Sequence, residues 1–355
     1  MEAPHLASPP RSLQRREWLR PAVQPDTLAF AVRTTASTLL SLWLGFWLQL
    51  NNPYLGAVTI WLIARPGVRA TMTLSIARFV GTLAGCLGAV FIMAVAAQAP
   101  VTALFLIALW MAGCSVGATL ELVPEYAYTF QLAGFAILTA VAASVPDPNR
   151  AFVITVDQCA GVCIGVASLF IVDALLPYGI DAPPGPPPPR TQGTMADAIR
   201  AGLITAGTVV LAGAFWMATA WPDGVYFLFA AGLVTVFFAP TLTPDIRALQ
   251  FARAVLISGV IAALYTFAIL PHYTAFAEYA LVVAPLLLVG GIAVAIPRLA
   301  VSGAVLIMAY LFILMQPTNA QRIDPLTVFN RDLAYILGGV FGTVTFRLGG
   351  RGTFR

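Results

Sequence analysis

Apolar residues in this chain come in runs of roughly ten to twenty-five, separated by short breaks such as Asn51-Asn52-Pro53 and Pro146-Asp147-Pro148. A helix needs roughly 20 apolar residues to cross about 30 Å of hydrocarbon. Backbone groups in lipid must find their hydrogen bonds internally, so runs of this kind read as helices. The first half of the chain gives 27–50, 54–64, 71–97, 101–120, 127–145 and 151–176. The second half gives 198–220, 225–239, 249–270, 277–296, 299–315 and 328–348. The pattern predicts an all-α, polytopic membrane protein of about 12 transmembrane helices, arranged as two parallel six-helix repeats. The expected units are a cytoplasmic tail (1–26), a first repeat (27–180), a proline-rich cytoplasmic linker (181–197), a second repeat (198–348) and a short cytoplasmic tail (349–355).

The repeat rests on one shared spacing at the start of each half's last run. Asp147, Pro148, Phe152, Gly161 and Gly165 recur in the same register as Asp324, Pro325, Phe329, Gly338 and Gly342. Glycines four apart lie on one helix face and let backbones approach closely, which predicts equivalent helix contacts in the two halves. Gly81 and Gly85 offer the same device in the third run. An even number of crossings per half makes the repeat parallel, related by an axis along the membrane normal, a plan found in transporters.

Composition agrees: of 355 residues, 59% are hydrophobic and 10% charged, against roughly one quarter charged in a soluble domain. All the basic residues are arginine, and their placement sets orientation. Twelve crossings with the N-terminus inside put sixteen arginines on or near the cytoplasmic side, leaving Arg150, Arg322 and Arg331 outside. If the short second run of each half only dipped into the bilayer, the division would be twelve against seven, so twelve crossings fit better. Residues 1–26 lack an apolar core with a cleavage site and read as a retained tail, not a signal peptide. The four cysteines all fall in apolar runs and read as packing.

Polar groups at depth are costly, about 2.5 to 3.5 kcal/mol at a helix centre, so each is a candidate for function. Arg78 lies well inside the third run and Arg253 begins its counterpart. Each either snorkels to the interface or offers a guanidinium fork to a carboxylate in an interior pathway. The short runs 54–64 and 225–239, followed by Pro66 and Pro240, interrupt both halves at one place, a pointer to the substrate site in repeat-built transporters. Asp157 and Asp332 are the proton-coupling candidates, with bonding to a neighbouring helix as the other reading of Asp157; Glu121, Glu125 and Asp173 sit at the cytoplasmic boundary. No phosphate-binding loop is present. No catalytic residues, metal ligands or cofactor site can be assigned, because no nucleophile, base or ligand cluster has readable spacing. Nothing points to nucleic acid.

Several segments carry a family resemblance: "NNPYLGAVTIWLIARP", "ARFVGTLAG", "YTFQLAGFAILTA", "VPDPNRAF", "WPDGVYFLFAAG", "LPHYTAFAEYALVVAPLLLVGG" and "DPLTVFNRDLAYILGG". In this order they resemble the fusaric acid resistance/aromatic acid exporter family of bacterial inner-membrane proteins. The resemblance implies an inner-membrane efflux transporter for small organic, chiefly aromatic carboxylic, acids, driven by membrane potential or proton exchange. It also implies a periplasmic adaptor protein and an outer-membrane channel as partners, and leaves a homo-oligomer open. Arg78 in "ARFVGT" matches the family's basic position, and Arg253 matches more loosely. The proline linker stands where many members carry a large cytoplasmic domain. Gln158 and Gly161 stand where a basic and an acidic residue are expected. A membrane scaffold or docking subunit of an envelope complex is the alternative reading.

Overall fold

A computed structural model describes residues 25–65, 68–96, 98–145, 147–176, 193–241, 244–296, 299–319 and 324–349. Among them are twelve α-helices and no strand. These are α1 (Pro25–Trp47), α2 (Tyr54–Ile63), α3 (Val68–Ala96), α4 (Pro100–Leu120), α5 (Pro124–Ser144), α6 (Ala151–Leu175), α7 (Met195–Thr219), α8 (Gly224–Phe238), α9 (Pro244–Ala263), α10 (Phe276–Ala295), α11 (Val305–Met315) and α12 (Pro325–Gly349). The chain is an all-α, multi-pass membrane protein. Several helices begin up to five residues before the apolar run that announced them, because α1, α4, α5, α9 and α12 each open on proline. Proline lacks an N–H that the first turn leaves unbonded anyway, and its fixed φ suits that position. Most of the linker, most of the N-terminal tail, and Pro66 lie outside the described residues.

The long helices present apolar side chains outward around a largely apolar core, and α1 and α3 also turn polar side chains inward. On α3, Ile76, Phe79, Leu83, Leu87, Phe91 and Val95 are exposed, while Arg78, Thr82 and Cys86 are buried. The exposed residues recur every three or four positions, which draws one lipid-facing stripe. On α1 the buried face carries Arg33, Thr34, Ser37, Thr38 and Ser41. The hydroxyls of Thr34, Ser37 and Thr38 donate to the carbonyls four residues earlier, whereas Oγ of Ser41 has no hydrogen-bond partner among the described residues.

Packing recurs between the halves. In the first, α6 packs on α1, α2 and α3, and α3 packs on α5; in the second, α12 packs on α7, α8 and α9, and α9 packs on α11. The halves meet where α4 lies on α7 and α10 on α1, and again where α5 meets α8 and α11 meets α2. These four seam contacts form two corresponding pairs, whereas α4 also packs on α8 with no comparable packing of α10 on α2. The centre holds three short helices, α2 with 10 residues, α8 with 15 and α11 with 11. At 1.5 Å per residue they reach only about 15, 22 and 16 Å.

One predicted run is broken. The stretch 299–315 was expected as a single helix, but Gly303 takes φ of +119° within a π-helical turn, and α11 begins only at Val305. A left-handed φ costs glycine little and most residues much, which explains glycine at this kink. The ninth run also changes form near its end, passing through a π-helical segment at Leu264–Ile269.

Candidate functional site

Helix ends inside a membrane protein leave backbone groups without intrahelical partners, and the three short central helices bring several such ends into the core. We call the end of the bundle where α1 begins the near end, and the other the far end. At the near end of α2, Arg33 of α1 donates from Nη2 to the Arg65 carbonyl at 2.7 Å. At its far end, Asp157 of α6 accepts the Asn52 N–H at 3.0 Å. At the near end of α8, Gln131 of α5 donates from Nε2 to the Phe237 carbonyl at 3.0 Å. At the far end of α11, Arg331 of α12 donates to the Leu314 carbonyl at 2.6 Å and to Oε1 of Gln316 at 2.5 Å. Cations meet carbonyl ends and the carboxylate meets an amide end, as the helix dipole favours.

Arg33 is 1% exposed, and its Nε lies 3.3 Å from Oδ1 of Asp173 on α6. Sequence reasoning missed this pair. It placed Asp173 at the boundary and gave Arg33 no role, although the buried polar stripe along α1 was a readable signal. Arg331 was likewise read only as a residue of the outer boundary.

Arg78 caps no such helix end. It stands ten residues into α3, about 15 Å along it, and is 1% exposed. Its guanidinium carbon lies 4.7 Å from the centroid of the Phe135 ring on α5. Nε and Nη1 have no hydrogen-bond partner among the described residues. Local packing fixes this arrangement. A Cβ on Gly81 would lie 2.6 Å from the Thr129 carbonyl, and one on Gly85 would lie 2.7 Å from Cβ of Ala136, so α3 lies close against α5. Phe135 also lines a central void of about 20 Å³ with Leu62, Phe237, Phe238, Phe251 and Tyr310. That is room for about one water, so the bundle is closed there. A larger apolar cavity, about 300 Å³ with Trp216 in its wall, opens at the far end between α3, α4, α5, α7 and α8.

The remaining predicted residues divide. Arg253 is exposed on α9 while Phe251, Ala252, Val255 and Ser258 are buried, so the helix turns it away from the interior and from Arg78. Asp157 holds the Asn52 turn. Asp332 is buried beside Arg331, with Oδ1 3.8 Å from Nε. The glycine pairs of α6 and α12 face the short helices: a Cβ on Gly165 would come within 2.9 Å of Gly56 Cα, Gly161 faces Leu55, Gly338 faces Ala230 and Gly342 faces Val234. Pro240 is half-buried in the turn after α8. The shared Asp-Pro motif serves two purposes. Asp324 accepts the N–H of Leu326 and of Thr327 at the start of α12, whereas Asp147 makes no side-chain cap and a 3-10 turn, Pro148–Arg150, precedes α6. Among the described residues no group of three or more His, Cys, Asp or Glu gathers as a metal site would require.

Comparison with known proteins places the chain. The model of the "Fusaric acid resistance protein family" matches residues 27–179 and 186–349. A "p-hydroxybenzoic acid efflux pump subunit AaeB" from Musicola paradisiaca is 30% identical over 155 residues, covering 41% of this chain and 24% of the relative. The protein of that name from Pectobacterium carotovorum is 31% identical over 157 residues, covering 42% of this chain and 24% of the relative. An uncharacterized transporter of Gluconobacter oxydans is 29% identical over 161 residues, covering 45% of this chain and 22% of the relative. The match thus spans about a quarter of the length of these relatives. No solved structure matches.

Proposed function

The chain belongs to the fusaric acid resistance protein family, and from that premise we propose that it exports small aromatic carboxylic acids, with Arg78 as the group that takes the carboxylate. One observation carries the reading: Arg78 is buried ten residues into α3 with donors unspent, while Arg33 and Arg331 hold helix ends. A carboxylate accepts two parallel N–H bonds from a guanidinium, and the aromatic wall beside Arg78 suits a ring attached to that carboxylate. Phe135, shared between the cation and the void, would be the contact surface for that ring.

The two sets of recurring helix contacts support alternating access, with α5 and α8 moving against α11 and α2 to admit a molecule larger than water. We take the near end as cytoplasmic, on the arginine count, in an inner bacterial membrane. Moving a monoanion out of an inside-negative cell then releases about 2.3 kcal/mol per 100 mV, which sustains roughly fifty-fold accumulation outside. Potential alone drives export in this scheme. Asp157, tied to a backbone amide, holds the α2 turn. A periplasmic adaptor fits the word "subunit" in the relatives' names.

The test is export of radiolabelled p-hydroxybenzoate from proteoliposomes holding the purified full chain, with an imposed inside-negative potential. We expect uptake-free, potential-dependent loss of label that disappears in Arg78→Met. Loss at the same rate from protein-free liposomes, or equal rates with and without potential, sinks the proposal.

A further inference from the structure

Aromatic rings form a continuous ladder through the centre of the bundle. From Arg78 it passes to Phe135, then to Phe229 at 5.8 Å, to Tyr335 at 5.5 Å and to Tyr226 at 5.3 Å between centroids. Tyr335 lies one turn along α12 from Arg331, so the far end of the ladder is again a guanidinium. The two cations differ in one respect. Among the described residues Arg78 has no carboxylate beside it, whereas Arg331 has Asp332, held at 3.8 Å without a hydrogen bond between Nε and Oδ1. Both of those atoms are buried, and neither has a hydrogen-bond partner among the described residues. The other two guanidinium nitrogens of Arg331 hold the Leu314 carbonyl, next to last in α11, and Gln316, itself at a left-handed φ of 40°.

We propose that Arg331 is a second carboxylate station, at the exit, and that Asp332 is the internal carboxylate that displaces the departing acid from it. This inference rests on the export reading above. An acid arriving along the ladder competes with the end of α11 for the guanidinium, so its binding loosens the α11–α12 contact and opens the far end. Asp332 then reclaims Arg331 and the end of α11 is held again. The same arrangement hinders return, because an acid outside must displace a carboxylate already in place. The rings between the stations favour flat aromatic acids over aliphatic ones of equal charge.

The experiment measures p-hydroxybenzoate export from proteoliposomes at zero outside concentration, then with p-hydroxybenzoate or propionate added at the exit face. Asp332→Asn keeps shape and removes the competitor. It is expected to lower kcat at least five-fold and to make exit-face inhibition by p-hydroxybenzoate at least five-fold stronger. Arg331→Gln is expected to weaken that inhibition at least ten-fold, with partial rescue in Arg331→Lys. Propionate should inhibit far less than p-hydroxybenzoate in the wild type. If Arg331→Gln is not recovered, Gln316→Ala serves, since freeing one donor should strengthen exit-face inhibition. Variants that lose thermal stability but keep wild-type kcat and inhibition make Arg331 a structural cap only, and overturn the station. A wild type that moves no p-hydroxybenzoate overturns the export reading and this one with it; a transporting wild type with unresponsive variants overturns this one alone.

Discussion

Replacing Arg78 with methionine separates a binding role from a structural one, because the two roles predict opposite signs. A cation at a helix centre costs about 2.5 to 3.5 kcal/mol to hold there. Its contact with the Phe135 ring, 4.7 Å from the centroid, returns about 2 kcal/mol when desolvated. With Nε and Nη1 unbonded, little else offsets the cost, so Arg78→Met is expected to be about as stable as the wild type or about 1 kcal/mol more stable. Function should move the other way. A hydrogen bond to a charged group contributes about 1.5 to 3 kcal/mol, and two parallel bonds to one carboxylate do not add fully. Taking about 3 kcal/mol for the pair gives roughly a 150-fold loss in kcat/KM for an aromatic acid. The assay pairs export rates with melting temperatures in detergent, with and without p-hydroxybenzoate. The wild type should melt higher with ligand, since saturation at about a hundred times Kd adds about 2.7 kcal/mol. Arg78→Met should show no such rise. Export within three-fold of wild type, or a variant several kcal/mol less stable that keeps its ligand shift, refutes the reasoning.

Arg33→Ala strands the Asp173 carboxylate, 9% exposed, and should cost about 3 to 5 kcal/mol, while Arg33→Met with Asp173→Leu should recover most of it; a double variant as unstable as the single excludes the ion pair as the cause. Gly165→Ala should destabilise by about 1 to 3 kcal/mol, because the new Cβ would meet the Gly56 backbone, whereas Gly113→Ala, where nothing lies within 4 Å, should stabilise by about 0.5 to 1 kcal/mol. Melting temperatures of the two variants in one detergent decide it. At the head of α12, the Thr327 hydroxyl and the N–H groups of Thr327 and Leu326 hold the Asp324 carboxyl below its usual pKa. A depressed folded-state pKa gives stability that is present above the ordinary aspartate value, about 3.9, and lost as pH falls through the lowered one. Protection factors in the first turn of α12, with the intrinsic pH dependence of amide exchange divided out, should therefore fall in acid, and Asp324→Ala should abolish that fall.

The fold was largely legible because in lipid one rule dominates: an apolar run long enough to cross must be a helix. Ends were legible to within a few residues, as at α6, where the run 151–176 became Ala151–Leu175. The miss at Gly303 has a physical cause, since a glycine within an apolar run reads equally well as close packing or as a break, and only the backbone angle decides. The glycine pairs were legible because spacing alone puts two glycines on one face. Which helix they would meet was not, because α2 and α8 are neighbours of α6 and α12 in space and distant from them along the chain. Charge placement misled in one direction. An arginine near a boundary suits orientation, and that sufficiency hid the contacts of Arg33 and Arg331 with helix ends in the core. Arg253 looked like a partner for Arg78 by sequence position, but the buried face of α9 runs through Phe251, Val255 and Ser258 and leaves it outside.

Short helices explain why so many polar groups sit deep in an apolar chain. A helix that crosses fully leaves its end groups in water or headgroups, while one of about 15 Å leaves at least one end in hydrocarbon. Each unpartnered end would cost several kcal/mol, so α2, α8 and α11 demand donors and acceptors from the helices around them. Arg33 and Asp157 serve the two ends of α2, Gln131 the near end of α8 and Arg331 the far end of α11. This accounting leaves a small remainder. A deep polar residue that caps an end needs no further reason to be there, and Arg78 caps none. The same logic sets the cost of motion. Because each short helix is held by one or two side-chain bonds at an end, worth about 1 to 3 kcal/mol apiece, the centre can rearrange by exchanging partners at the caps while the long outer helices keep every backbone bond.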